Sequence, residues 1–278
     1  MILERLREEY HQAVFSQLLF IDKSGIPSNA DRHSNISVAL AKGIIKEVGL
    51  NPSILRKSGQ TSGKSFEKIT TDFIFKAFNE LKHLRPGKFD FFICKSIDHF
   101  EQYEHLALLA GTLKSNRELR ATLTDYIFSP DIVIGRLPLS DKEINQKKQI
   151  VSKDENAKLI PLRAVNSDKP ILHASISCKW TIRSDRSQNA RTEGLNLIRN
   201  RKGHTPHIAI VTAEPYPQRL ASLALGTGDI DCVYHFALRE LLKTSRKFAN
   251  EAVLDILETL VEGKRLRDIS DLPFDLVA

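Results

Sequence analysis

Along the chain, apolar positions recur with two periods, one close to a helical turn and one of two residues. Leu3, Leu6, Tyr10, Val14, Gln17, Leu18 and Ile21 lie near helical spacing and predict an amphipathic helix over 1–22. A stretch of loop composition, Gly25 to Asp31, follows, and a second helix is expected from Asn35 to Val48 with Ser34 as its cap. Asp31 and His33 are thus expected on a loop. After a further loop, Asn51 to Gly63, the spacing of Phe66, Ile69, Phe73, Ala77 and Leu81 predicts one buried helical face, with Glu67 beside it near the helix start. Lys88 to Cys94 reads as a strand and His99 to Lys114 as a helix.

Past Ser129-Pro130 comes a short β-branched strand, Asp131 to Ile134, and then a polar stretch, Ser140 to Asp168, with the look of an insertion or flexible connection. Leu172 to Trp180 alternates cleanly. Leu172, Ala174, Ile176, Cys178 and Trp180 share one face, while His173, Ser175, Ser177 and Lys179 share the other. A helix from about Ser187 to Arg201, a strand His207 to Thr212, and helices around Cys232 to Lys243 and Ala249 to Glu262 complete the pattern. Helices and strands mix throughout, with no repeat or heptad run.

At 278 residues, with 41% hydrophobic and 27% charged residues, the chain forms one large domain or two small ones and has the composition of a folded protein, not a disordered or collagen-like one. No apolar run reaches the roughly 18 residues of a membrane span. The acidic N-terminus, with Glu4, Glu8 and Glu9, lacks the basic-then-apolar order of a secretion signal, so a cytoplasmic location is expected. Three separated cysteines indicate neither a disulfide framework nor a metal knuckle. The formal charge of +7 suits a polyanionic partner without naming one.

Several motifs fail on inspection. Gly59-Gln60-Thr61-Ser62-Gly63-Lys64-Ser65 ends like a phosphate loop, but three residues separate its glycines where four are needed; a glycine-flanked loop touching a DNA backbone is the better expectation. Gly226-Thr227-Gly228 is no dinucleotide fingerprint. None of the nine histidines forms an i, i+4 zinc pair, and no Gly-x-Ser-x-Gly elbow occurs.

The chemistry-bearing set is Asp131 at the start of a strand, Lys179 on the polar face of another, and Glu193 on the helix fourteen residues further on. Two or three carboxylates that hold Mg²⁺ beside a lysine are what phosphodiester hydrolysis requires. Spacing alone would equally describe ordinary surface charges. The surroundings favour chemistry: between Lys179 and Lys202 stand Arg183, Arg186, Arg191, Arg199 and Arg201, with only Asp185 and Glu193 as acids. Arg183-Ser184-Asp185-Arg186 follows the lysine strand directly, where arginine pairs with guanine and aspartate accepts from cytosine.

Ser177-Cys178-Lys179, Arg183 to Arg186, Glu193 and Pro130-Asp131 resemble the type II restriction endonucleases that read a CCGG core, most closely the NgoMIV-like enzymes. Further similar stretches are Ser28 to Asp31, Gly59 to Gly63, Arg85-Pro86-Gly87, Thr212 to Pro215, Ala224 to Gly228 and Asp268 to Pro273. The similarity is weakest at Asp90 to Ile97 and Leu137 to Asp168. It implies an α/β, restriction-endonuclease-like (PD-(D/E)xK nuclease) fold with a mixed central β-sheet flanked by α-helices, and a single catalytic and DNA-recognition domain over 1–278.

The same resemblance implies the site. The acid usual two residues before the lysine is replaced by Ser177, and in the CCGG group that carboxylate comes from the following helix, here Glu193. Asp131, Lys179, Glu193, Glu67 and Ser177 are then the catalytic set; Asp131, Glu193 and the Cys178 carbonyl hold metal, taken as Mg²⁺. Arg183, Asp185 and Arg186 read the inner pairs, Asp31 and Arg219 the outer pair, and Gln60 the minor groove, which points to GCCGGC in double-stranded DNA, cut to leave 5′-phosphate staggered ends. It implies too a homodimer pairing into a homotetramer, and a cognate DNA methyltransferase without a stable complex. A non-catalytic DNA-binding protein would not need Asp131, Lys179 and Glu193 together, and a structure-specific nuclease would not need the Arg-Ser-Asp-Arg cluster.

Overall fold

The structure is a computed structural model of the 278-residue chain that describes all residues except 55–58, 114–117, 119–126, 153–155 and 227, with main chain only at 59, 60, 110 and 184–187. In chain order the described elements are α1 (Ile2–Gln17), α2 (Asn35–Val48), α3 (Gly59–Leu81), β1 (Phe89–Ile93), α4 (Glu104–Leu113), β2 (Ile132–Arg136), β3 (Ile171–Lys179), α5 (Ser184–Asn200), β4 (His207–Thr212), α6 (Pro217–Ala224), β5 (Cys232–His235), α7 (Leu238–Phe248), α8 (Glu251–Glu262), β6 (Leu266–Asp268) and α9 (Leu272–Val277). The strands form a mixed six-stranded sheet in the order β1-β2-β3-β4-β5-β6. Among the described residues no helix is long and apolar enough to cross a membrane.

Packing divides the chain into two compact units. One comprises Met1–Arg85, Ile176–Gly194 and Ile208–Ala278; the other comprises Pro86–Ser175 and Leu195–His207. In the first unit, β4, β5 and β6 are parallel neighbours, with Ala209 opposite Cys232 and Val233 opposite Leu266. The expected helix at Cys232 is a strand before it becomes α7. All four β5 residues are buried, so no alternation marks them, as is usual for a strand covered on both faces.

α2 occupies its expected span. Ser34 Oγ accepts from Ser37 N and so caps one of the unpaired first-turn amides, and Gly49 closes the helix with φ +76°. α2 packs on α7 with Gly43 against Thr244, where a Cβ would lie 2.1 Å from Thr244 Cγ2, so only glycine permits this approach. α3 begins earlier than expected: Gly59 to Gly63 is helix, not loop, and Glu67 therefore stands two turns inside the helix.

Arg7 on α1 anchors this unit. It reaches Asp268 through Nε (2.9 Å) and Nη2 (2.8 Å), and Glu240 through Nη1 (3.0 Å) and Nη2 (2.6 Å). Burial alone would raise both carboxyls, but the guanidinium outweighs it and holds Asp268 and Glu240 below the usual carboxylate range.

In the second unit, β1 and β2 are antiparallel, with Phe91 opposite Ile134. Gln102 clamps β3 with both ends of its amide, Nε2 to Leu172 O (2.9 Å) and Oε1 to Leu172 N (2.7 Å). The described residues of the polar stretch after β2 carry hydrogen-bonded local structure that their composition does not suggest. Ser140 and Glu143 form a reciprocal capping box on the turn Asp141–Ile144. Arg163, nearly buried, bonds the Asp141 carboxylate and the carbonyls of Ser152 and Asn156, satisfying all three sides of its fork.

Candidate functional site

β3 carries the predicted alternation, but both faces are covered: His173, Ser175 and Ser177 are buried along with Ala174, Ile176 and Cys178. The row of polar groups is therefore an internal one, and a buried polar side chain must find a partner. Ser177 finds it in Glu193, donating from Oγ to Oε2 at 2.9 Å. A carboxylate of α5 thus lies against Ser177, two residues before the strand end where Lys179 stands partly exposed. Gly194 makes this possible. A Cβ there would lie 2.4 Å from Asp229 O, so only glycine lets α5 settle against that loop beside Glu193. The Cys178 side chain is buried on the opposite face and its thiol is in no disulfide.

Glu67 is partly buried on α3, its Oε1 3.8 Å from the place a Cβ on Gly63 would take. Standing two turns in, it does not share the unpaired amides of the helix start, which are confined to the first turn. Asp131 belongs to the second unit, where it leads into β2 and accepts from Cys94 N at 3.1 Å through its main-chain carbonyl.

The first unit also holds an open cleft of about 640 Å³, lined by Asp22, Asp31, Arg32, Thr181, Arg183 and Arg219 among others. Three predicted base readers, Asp31, Arg183 and Arg219, therefore meet in one place. Asp31 sits in the turn before α2: its amide donates to Ser37 Oγ (2.9 Å) and its Oδ1 accepts from His33 N (3.0 Å). Its Oδ2 is ion-paired with Arg219 Nη2. Behind them lies a residue the sequence did not single out. Glu214 is fully buried; Oε2 accepts from Ile182 N (2.9 Å) and lies 3.6 Å from Arg219 Nη1, while Oε1 accepts from Tyr216 N (3.2 Å). Burial pushes its carboxyl up to about 7, against the pull of the Ile182 amide and Arg219.

Asp185 and Arg186 stand in the first turn of α5, directly after Arg183, and Gln60 in the first turn of α3, but their side chains lie outside the described residues. Among the described residues no three His, Cys, Asp or Glu side chains gather into a ready-made metal cage. Mg²⁺ does not need one. It takes one or two carboxylates and lets waters and substrate phosphate complete its shell, and within the first unit the Glu193 carboxylate and the Cys178 carbonyl are oxygen donors of the kind that hard ion takes.

Comparison with known proteins identifies the family. The family model described as NgoMIV restriction enzyme matches residues 10–278. A type II restriction enzyme, NgoMIV, from Neisseria gonorrhoeae is 49% identical over 278 residues, covering 97% of this chain and 96% of that protein. Two solved structures of restriction endonucleases are also similar, each at 14% identity. PspGI in its substrate-DNA complex has a TM-score of 0.34, covering 99% of this chain and 91% of that one. Bse634I, a type IIF enzyme with cognate DNA, has a TM-score of 0.35, covering 100% and 92%. With a family model matched from residue 10 to the end and a relative half identical along nearly its whole length, the chain belongs to the NgoMIV restriction enzyme family.

Proposed function

We propose that this type II restriction endonuclease hydrolyses both strands of duplex DNA at GCCGGC, with Mg²⁺, leaving 5′-phosphates on staggered ends. The observation that carries the proposal is the 2.9 Å bond from Ser177 to Glu193, which supports a helix-borne carboxylate at the end of the strand that finishes in Lys179. Asp131, Glu193 and the Cys178 carbonyl would hold the metal, which lowers the pKa of an attacking water and offsets charge on the scissile phosphate. Lys179 stabilises the negative charge that develops on the phosphate oxygens. Ser177 acts through Glu193, fixing which oxygen of the carboxylate turns outward. Glu67 assists from α3.

For reading, Arg183, Asp185 and Arg186 take the inner C·G pairs in the major groove, Asp31 and Arg219 the outer pair, and Gln60 the minor groove. Arginine to guanine and aspartate to cytosine is the pairing an all-G·C site demands. The whole chain, 1–278, acts as one catalytic and recognition domain, as a homodimer that pairs into a homotetramer, in the cytoplasm beside a methyltransferase that protects the same site.

Duplexes carrying one GCCGGC site, incubated with and without Mg²⁺, test the proposal. Cleavage only with the ion supports it, and cleavage in a metal-free chelating buffer contradicts it. Arg186→Ala is expected to cost about 1 to 3 kcal/mol of discrimination at one base pair. Competition binding against duplexes altered pair by pair measures this. Equal weakening on every duplex would make Arg186 a phosphate contact only.

A further inference from the structure

The loop Thr212 to Pro215 joins parts of the site that lie far apart in sequence. Ala213 N donates to Lys179 O at 3.4 Å, and Ala213 O accepts from Asn29 Nδ2 at 2.9 Å. Glu214 N donates to Thr212 Oγ1 at 3.1 Å, which fixes the turn. The Glu214 carboxylate then touches the amide of Ile182, one residue before Arg183, and the guanidinium of Arg219, whose other end holds Asp31. One buried group thus contacts both ends of the reading cleft.

We propose that Glu214 is a positioning residue for discrimination at the outer base pair, holding Arg219 in register with the Arg183 segment while Asp31 leaves Arg219 for a base. The inference rests on the assignment of Asp31 and Arg219 to the outer pair. In the structure Asp31 and Arg219 pair with each other. When Asp31 turns to cytosine and Arg219 to guanine, Arg219 loses one anionic partner, and a guanidinium that DNA covers is poorly held without one. Glu214 remains behind it. A neutral side chain would satisfy one of its two amides, whereas a carboxylate accepts both and still faces the arginine.

The charge on this carboxylate is therefore part of the device. Among the described residues the carboxylate faces Arg219 on α6, and Asp31 through Arg219, while His235 on β5 bonds the Glu214 main chain; burial pushes His235 down to about 4, so it stays neutral where Glu214 titrates. Since burial sets the Glu214 carboxyl at about 7, it is charged above that pH and its hold on Arg219 weakens below it. Outer-pair discrimination should then be strongest on the alkaline side.

The experiment compares single-turnover cleavage of GCCGGC and ACCGGT duplexes by the native enzyme and Glu214→Gln at about pH 6 and pH 8. For the native enzyme the ratio of the two rates is expected to fall by about tenfold or more between pH 8 and pH 6. For Glu214→Gln it should be low at both and flat. Equal slowing on both duplexes, or an unchanged ratio in a variant of native melting temperature, would reduce Glu214 to scaffolding and overturn the proposal. A pH dependence that persists in the variant would overturn it too, placing the switch elsewhere. Should Glu214→Gln not fold, Glu214→Asp is measured in its place: it keeps the charge but withdraws the carboxylate from Arg219, so the ratio at pH 8 should fall, and an unchanged ratio overturns the proposal. Native enzyme that cuts both duplexes alike at pH 8 refutes the outer-pair assignment itself, before any variant is made.

Discussion

Lys179→Ala is expected to slow single-turnover cleavage by about 10²- to 10³-fold or more, with site affinity little changed. Lys179 ends β3, partly exposed, and its main-chain carbonyl is held by Ala213 N, so the loss of its side chain leaves the strand end in place. An ammonium aimed at a phosphate matters most when charge builds up in the transition state, and its removal therefore lowers rate more than ground-state binding. Quench-flow measures the rate and a gel shift in Ca²⁺ the affinity. Equal loss of binding and rate would make Lys179 a structural or general phosphate contact. Arg183, Asp185 and Arg186, which are assigned to the bases, should show the opposite balance.

Arg7→Met should destabilise the protein by about 3 to 5 kcal/mol, a fall in Tm on the order of 10 °C. The side chains of Arg7, Glu240 and Asp268 are 10%, 14% and 7% exposed. Removing the guanidinium leaves two carboxylates in a nearly closed site with no cation between them. Asp268 also accepts from Leu238 N (3.1 Å) and Ser270 N (3.0 Å), so α7 and the turn after β6 loosen together. The dependence on pH separates the native protein from the variant. In the native protein Asp268 and Glu240 are held below their usual range, so their stabilisation is present above about pH 4 and is lost as the pH falls through their folded values. In Arg7→Met burial is opposed only by weaker partners, the Ser270 hydrogen bonds at Asp268 and a backbone hydrogen bond and His11 at Glu240, so both carboxyls move up and the variant should lose less stability than the native protein as the pH falls towards 4. Calorimetry at several pH values measures both slopes, and parallel curves for the two proteins would show that the cluster carries no such weight.

How much of this was legible beforehand depended on whether neighbours in sequence are neighbours in space. β3 was readable because its period of two survives burial on both faces, and α2 because Ser34 and Gly49 mark its ends. β5 was misread because four consecutive buried residues have no period and run straight towards a helix. The start of α3 is hidden by the loop-like composition of Gly59-Gln60-Thr61-Ser62-Gly63, a local propensity that the helix as a whole, packed on α1 and α9, overrides.

At the site, Asp131, Lys179 and Glu193 stood out as residue types in a basic setting, yet only the resemblance tied Glu193 to Ser177, and only the fold shows the bond between them. Glu214 was visible merely as one letter of Thr-Ala-Glu-Pro. Its partner Ile182 lies 32 residues away and Arg219 turns back to Asp31 across 188, separations that no local pattern encodes.

The most direct measurement is to digest a plasmid of known sequence with the purified protein and Mg²⁺ and to sequence every fragment end. Discrete ends, all within GCCGGC and bearing 5′-phosphates, are the expected result. Ends at another CCGG-containing palindrome would remove Asp31 and Arg219 from the outer pair. Ends scattered without sequence preference, or intact plasmid retained in a gel shift, would contradict site-specific hydrolysis by this chain.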